Sequence, residues 1–299
     1  MGSQPYYTLL ASLPPLPRFD QADRLPITRE RLRQRFSMLT PDDAESLDRA
    51  AAFLAWHHQT VIYNILFATA SSTLKDFGLN PKQLGADIGL SAVLHTHTRR
   101  LDYHPHLHVI VPGGGVDRAK RQWKKKKGQY LFNEFALAKV FRARFLAAMN
   151  TAGLSIPDPL PDQWVVDCKQ VGKGEPALQY LSRYLYRGVI SEKNIVANRD
   201  GKVTFRYIEG NTGKSQYRTV KGETFLWLVL QHVLPKGFRR VRDYGFLHGK
   251  AKKRLSLVQL VLKVIIKTRT PRPRPVFKCP KCQSLMQILG FIRPAWQSG

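Results

Sequence analysis

The segment that most constrains this chain reads His-Pro-His-Leu-His-Val-Ile-Val from position 104 to 111. Side chains alternate between the two faces of a β-strand, so this order predicts a half-buried strand. One face carries His104, His106 and His108, and the other carries Leu107, Val109 and Val111. Three imidazoles on one face predict a divalent-metal site whose open position takes a phosphate oxygen. The alternative is that these histidines only solvate an exposed sheet face.

The preceding segment predicts a partner for the histidine strand. Apolar residues alternate at Ile88, Leu90, Ala92 and Leu94, followed by His95 and His97 on a common face. A polar turn with Arg99, Arg100 and Asp102 separates the two segments, which is typical of a β-hairpin.

The remaining pattern mixes helices and strands without a regular βαβ alternation, and therefore favours an α+β fold. We expect helices around residues 61–74, 133–149, 222–234 and 251–267, with another opened by Pro176, and strands at 6–13, 163–169, 203–208 and 216–220.

The charge balance indicates a polyanionic partner. The 48 Lys and Arg residues against 21 Asp and Glu residues give a net charge of +27, and all of this excess follows residue 50. Such a balance favours nucleic acid. A basic cluster with Arg121, Lys124, Lys125, Lys126 and Lys127 is expected to bind phosphates, with Trp123 available to stack on a base. No apolar run of membrane-spanning length or secretion signal is recognisable, so a cytoplasmic protein is expected.

A predicted helix over residues 176–190 carries two tyrosines one turn apart. Tyr180 and Tyr184 share a side with Arg183 and Arg187, whereas Tyr186 lies on neither face. A phenolate is a competent nucleophile and Arg binds phosphate oxygens, so the pattern suits phosphodiester chemistry. An amphipathic helix with ordinary boundary tyrosines is the alternative.

Together these stretches resemble the two-tyrosine HUH rolling-circle transposases of the insertion-sequence ninety-one family. The matching segments, in the family's order, are 92–96, 104–115, 180–184, 203–207, 232–238 and 244–247.

The resemblance implies an HUH-nuclease-like antiparallel sheet with flanking helices and a helical C-terminal region. It implies a Mg or Mn ion on His106 and His108, with His104 as third ligand or neighbour and His95 and Gln179 as competitors. Tyr180 and Tyr184 would cleave and rejoin single-stranded DNA at transposon ends through a 5′-phosphotyrosine. The chain is then expected to divide into an atypical segment 1–53, a catalytic domain 54–221 and a basic C-terminal region 222–299.

The chain departs from the family at its beginning. Family members usually open with a Cys-rich zinc module and a first apolar strand of the nuclease sheet. Neither is recognisable at the start of this chain, and no Cys precedes Cys168. We therefore expect a foreign N-terminal segment and a missing central strand, which would loosen the histidine strand. Two alternatives remain open: an inactive DNA-binding transposase remnant, and a replication initiator or relaxase.

Cys279 and Cys282 form a CxxC pair that resembles one half of a zinc site. A complete site needs four ligands, and His248 is the only His nearby. The alternative is a solvent-exposed pair in the tail.

Overall fold

The computed structural model describes residues 5–12, 57–126, 131–154, 164–173, 179, 182, 188–210, 212–264 and 278–286, with the backbone alone for 5–12. The chain forms two compact units, residues 1–263 and 264–299.

A five-stranded antiparallel sheet lies at the centre of the first unit. Its strands are β1 (Pro5–Ser12), β2 (Leu90–His97), β3 (Tyr103–Pro112), β6 (Val166–Lys173) and β10 (Val241–Tyr244). They lie in the order β10-β2-β3-β1-β6. The histidine strand β3 is therefore the central strand, with β2 and β1 as its neighbours.

Two helices cover the apolar side of this sheet. Helix α1 (Gln59–Leu79) and helix α2 (Glu134–Thr151) pack together against it, and Asn133 caps α2 by accepting a hydrogen bond from the Ala136 amide. Leu107, Val109 and Val111 are almost fully buried in the resulting core. Burying one face of β3 fixes its register, because a shift by one residue would move the histidines into the core.

Smaller elements complete the first unit. Strands β4 (Gly114–Asp117) and β5 (Gln122–Lys125) form a hairpin directly after β3. Strands β7 (Ile195–Arg199), β8 (Lys202–Ile208) and β9 (Ser215–Lys221) form a separate sheet, followed by helix α3 (Gly222–Leu230) and, after β10, helix α4 (Lys252–Val261). Single 3₁₀ turns lie at Glu192–Asn194 and Gly245–Leu247.

The glycines after the histidine strand allow a close chain crossing. Asp87 and Val116 form an isolated antiparallel bridge, and a side chain at Gly115 would collide with the Asp87 carbonyl. The Pro-Gly-Gly-Gly segment therefore lets the β4–β5 hairpin lie against the chain entering β2.

The expected α+β class is confirmed, and two predicted helices are shorter than expected. Helix α3 ends at Leu230, because the next two side chains turn back toward the β2–β3 hairpin. Helix α4 ends at Val261, two residues before Lys263 adopts a left-handed conformation with φ of 50°. Within the described residues, no helix has the length and apolar character needed to cross a membrane.

The expectation of a missing central strand is wrong. Strand β1 pairs antiparallel with β3 on one side and with β6 on the other, placing Leu9 opposite both Val109 and Cys168. The strand expected at residues 6–13 is present as β1, and only its place in the sheet was missed, because strand pairing depends on partners distant in the sequence. The three-part domain division remains a prediction, although β1 and β10 from its two outer parts join the same sheet.

The position of β1 leads to a stability prediction. Leu9→Pro removes an amide proton from a strand hydrogen-bonded on both sides, so we expect a loss of about 3 kcal/mol or more in unfolding free energy. Urea denaturation followed by circular dichroism measures it. Leu9→Val is the matched control, because it keeps the amide and should change stability far less. Equal unfolding midpoints for Leu9→Pro and the unaltered chain would contradict the placement of β1.

Candidate metal centre

Strand pairing brings three histidines together on one face of the sheet. In the β2–β3 register, His95 lies directly opposite His106, and Val93 lies opposite His108. Directly opposed side chains in an antiparallel pair have Cβ atoms about 5 Å apart, and residues i and i+2 share a face. The imidazoles of His95, His106 and His108 therefore converge from two adjacent strands.

The distances are compatible with a shared ion. Ring centroids are 5.5 Å apart for His95 and His106, 4.7 Å for His95 and His108, and 5.0 Å for His106 and His108. One nitrogen from each ring lies within 4.8 Å of the other two. Nitrogens bound to one ion at about 2.1 Å lie at most about 4.2 Å apart, so a small approach of the rings completes the site.

A backbone contact orients His106. Its Nδ1 lies 2.7 Å from the His104 carbonyl oxygen, which can only accept a hydrogen bond. Nδ1 is therefore the protonated nitrogen, and the lone pair of Nε2 is left for a ligand. Fixing one nitrogen in this way sets the tautomer and orientation of a metal-binding imidazole.

Burial keeps the His106 imidazole in the form that binds metal. Desolvation is the main reason that the pKa of His106 falls to about 3, with repulsion from neighbouring histidines adding to it. Burial likewise lowers the pKa of His104 to about 4. Neutral imidazole is the ligand form, and a set of three neutral ligands leaves a bound ion with its full charge.

The structure favours His95 over His104 as the third member of the group. The His104 ring lies 5.0 Å from that of His106, but its nitrogens are not among the three that converge. The sequence indicated a face for His104 but could not give the register that sets His95 opposite His106. Gln179, the other competitor, is exposed.

Two further histidines extend the cluster: the half-buried His97, which the sequence placed on a common face with His95, and the buried His232, which it did not assign to the site. His97 stacks on His95 with centroids 5.7 Å apart and lies 5.3 Å from His232. Burial is the main cause that lowers the pKa of His97 to about 2 and that of His232 to about 4. The only sequence signal for His232 was its place at the start of the family-like stretch 232–238.

The second sheet and α3 hold the β2–β3 turn. Leu101 is buried with φ of 70°, and its carbonyl lies 2.9 Å from Gln231 Nε2 and 3.1 Å from His232 Nε2. Arg218 of β9 donates to the Arg100 carbonyl at 2.8 Å and to Asp102 Oδ1 at 3.0 Å. These contacts fix an unfavourable turn conformation and with it the pairing of the two histidine strands.

An arginine from the edge strand segment lies near the histidines. Arg240 Nε donates to the Leu94 carbonyl at 3.0 Å, and its positive charge contributes to lowering the pKa of His97. A guanidinium beside a metal centre is suited to bind a phosphate group. The neighbouring Arg242 makes other contacts. It stacks on the rings of Phe67 and Phe238 and donates a hydrogen bond to Asn64 Oδ1.

The predicted basic cluster lies on the β4–β5 hairpin. Arg121, Lys124 and Lys125 are exposed there, and Lys126 lies over the Phe132 ring. Lys124 also approaches the Gly85 carbonyl at 3.3 Å, so it supports the hairpin as well. Trp123 is half-buried edge-on against Phe246, which leaves less of its ring for a base than expected. Lys127 lies outside the described residues.

The predicted nucleophiles also lie outside the described residues, as do the arginines beside them: Tyr180, Tyr184, Arg183 and Arg187. Within that segment Gln179 and Ser182 are helical, and the Ser182 hydroxyl donates to the Gln179 carbonyl at 2.8 Å. The assignment of Tyr180 and Tyr184 therefore stays a prediction.

The cysteines divide between the two units. Cys168 is fully buried in β6, where packing explains it. Cys279 and Cys282 are free thiols in the second unit, with Cys282 exposed. Hydrogen bonds from Ser284 lower the pKa of the Cys282 thiol to about 7.

Comparison with known proteins shows which family this chain resembles. The family model described as "Putative transposase" (Y2_Tnp) matches residues 89–254, more than half of the chain. The chain is 35% identical over 228 residues to "Putative transposase y4qJ" of Sinorhizobium fredii, covering 69% of this chain and 57% of that protein.

A second relative is the "Transposase for insertion sequence element IS801" of Pseudomonas savastanoi pv. phaseolicola, 28% identical over 235 residues, which are 70% of this chain and 55% of that protein. The chain thus spans little more than half the length of these curated relatives. No solved structure matches it significantly.

The matched region contains the whole β2–β3 hairpin with its five histidines, the β7–β9 sheet, α3 and β10. The chain therefore belongs to the Y2_Tnp family of transposases.

Proposed function

We propose that this chain is a DNA transposase of the rolling-circle type, which cleaves and rejoins single-stranded DNA through a 5′-phosphotyrosine. The observation that carries the proposal is the convergence of His95, His106 and His108 from two adjacent strands of a family member's sheet. Three converging histidines in a chain with a net charge of +27 suit phosphodiester chemistry better than a purely structural role.

The donor set fits a divalent transition metal. Three neutral imidazoles suit Mn better than Mg, which prefers carboxylates and water. His95, His106 and His108 would hold the ion, and a bound ion supplies Lewis-acid polarisation of a phosphate oxygen. Arg240, which donates to the Leu94 carbonyl, would hold a second phosphate oxygen. The low pKa of His106 keeps this imidazole from acting as a proton donor at neutral pH.

The tyrosines supply the proposed nucleophile. The phenol oxygen of Tyr180 or Tyr184 would attack phosphorus, and the bond from phosphorus to the 3′ oxygen would break. The phenol loses its proton and the departing 3′ oxygen gains one, which leaves a free 3′-OH and a 5′-phosphotyrosine. Because one phosphodiester replaces another, a different 3′-OH can reverse the step, and two tyrosines allow two successive transfers.

The structure weakens the case for an inactive remnant. That alternative arose from the apparent absence of a central strand, and β1 occupies the position between β3 and β6. A replication initiator or relaxase would share the histidine strand, but the family match over residues 89–254 favours a transposase.

The metal site leads to the first functional prediction. Calorimetric titration with Mn²⁺ should give a binding heat for the unaltered chain that disappears in His106→Ala/His108→Ala. His95→Ala should weaken binding by about 10-fold to 100-fold or more, since loss of an outer contact alone has such an effect.

His104→Ala is the matched control for this titration. It keeps the backbone carbonyl that orients His106, so its Mn²⁺ affinity should stay within a few-fold of the unaltered chain. Equal losses from His95→Ala and His104→Ala would count against the assigned third ligand.

The tyrosines lead to a second prediction. With single-stranded element-end DNA and Mn²⁺, the double change Tyr180→Phe/Tyr184→Phe should abolish the covalent protein–DNA band, because Phe keeps the ring and removes the nucleophilic oxygen. Tyr186→Phe should leave the band intact. A denaturing gel with labelled oligonucleotide shows the adduct, and an adduct that survives the double change would refute these nucleophiles.

The basic hairpin leads to a third prediction. If binding to single strands is mainly through phosphates, log affinity should fall linearly with log salt by about 0.7 for each phosphate contacted. Arg121→Ala/Lys125→Ala should reduce that slope by up to about 1.4. Lys139→Ala removes an exposed charge from α2 and should leave the slope unchanged. Fluorescence anisotropy measures these affinities, and a flat salt response would contradict phosphate binding.

A further inference from the structure

The second unit contains a closed loop that carries both of its cysteines. Lys278 and Leu285 form an antiparallel bridge, the Cys279 amide donates to the Ser284 carbonyl at 2.9 Å, and the Gln283 amide donates to the Cys279 carbonyl at 2.8 Å. Gln283, directly after Cys282, has φ of 57°. The chain thus reverses tightly between the two cysteines and holds them on one turn.

The turn brings the two thiols into contact. The Cys282 thiol shares a hydrogen bond with the Cys279 thiol and is exposed. Two cysteines separated by two residues on such a turn provide two corners of a tetrahedral zinc site. A structural zinc site needs four protein ligands, so the turn supplies half of one.

Residues 264–299 contain no second pair of zinc ligands. Between residues 264 and 299 there is no His, Asp or Glu and no cysteine besides Cys279 and Cys282. The third cysteine, Cys168, is fully buried in β6 of the first unit. The same turn from another copy of the chain would complete a four-thiolate site.

The surroundings of the turn suit a symmetric partner. Leu285 and Met286 are 67% and 48% exposed beside it, and a second copy would cover this apolar surface. Residues 264–299 also carry seven basic side chains and no acidic one. A zinc ion with four thiolates has a net charge of −2, which offsets the repulsion between two such basic units.

We propose that two copies of this chain bind one zinc ion between them, each contributing Cys279 and Cys282. The contact is related by a twofold axis, so each copy presents the same turn, and the apolar side chains next to it meet across the axis. Zinc would then control whether the transposase is a monomer or a dimer, separately from the metal held by the histidines.

The test measures zinc content and mass of the full-length chain in a non-thiol reductant. With zinc, we expect a dimer mass by light scattering. We also expect one bound zinc ion per two chains in addition to any zinc held by the histidines, which the change His106→Ala/His108→Ala removes. A chelator, or the change Cys279→Ser/Cys282→Ser, should return the chain to a monomer. Cys168→Ala is the matched control and should leave the dimer intact.

Cobalt substitution gives a second readout that the histidines cannot produce. Co²⁺ bound to four thiolates shows a sulfur-to-metal charge-transfer band, which should be present in His106→Ala/His108→Ala and absent in Cys279→Ser/Cys282→Ser. A monomer with one thiolate-bound zinc per chain, a dimer that persists in chelator, or the absence of any thiolate-bound metal would each overturn the proposal.

Discussion

The antiparallel pairing of β2 with β3 is the interaction on which the rest of the site depends. This register sets His95 directly opposite His106, with His108 two residues along the same face. A shift by one residue would turn the imidazoles toward the core and expose Leu107, Val109 and Val111. The buried apolar face of β3 thus determines the position of the histidines as strictly as the hydrogen-bond ladder does.

The surrounding elements preserve that register from both ends. At the turn, Arg218, Gln231 and His232 bind the carbonyls and the carboxylate of residues 100–102, and Leu101 is held in a left-handed conformation within the second core. Within the sheet, β1 pairs with β3 and β10 pairs with β2, so these two strands cover the edges that the β2–β3 hairpin would otherwise expose. The three-stranded sheet therefore acts as a support for the metal centre, although none of its strands provides a ligand.

Much of this arrangement could be predicted from local pattern alone. Alternation predicted β2 and β3 and the shared face of His106 and His108, because a strand has a period of two. Register is a non-local property, so the choice between His95 and His104 needed the structure. For the same reason, the sequence did not predict that His232 lies beside the histidine strands. Nor did it predict the place of β1 in the sheet, because the partners of β1 lie about 100 and about 160 residues further along the chain.

We propose that one divalent ion binds between β2 and β3 on His95, His106 and His108. Anomalous diffraction from crystals grown with Mn²⁺ tests it directly, because the manganese signal locates the ion without reference to activity. We expect a single peak about 2.2 Å from one nitrogen of each of these three rings, with Nδ1 of His106 still bonded to the His104 carbonyl. A peak ligated by His104 instead of His95, or no peak in this cluster, would contradict this metal site.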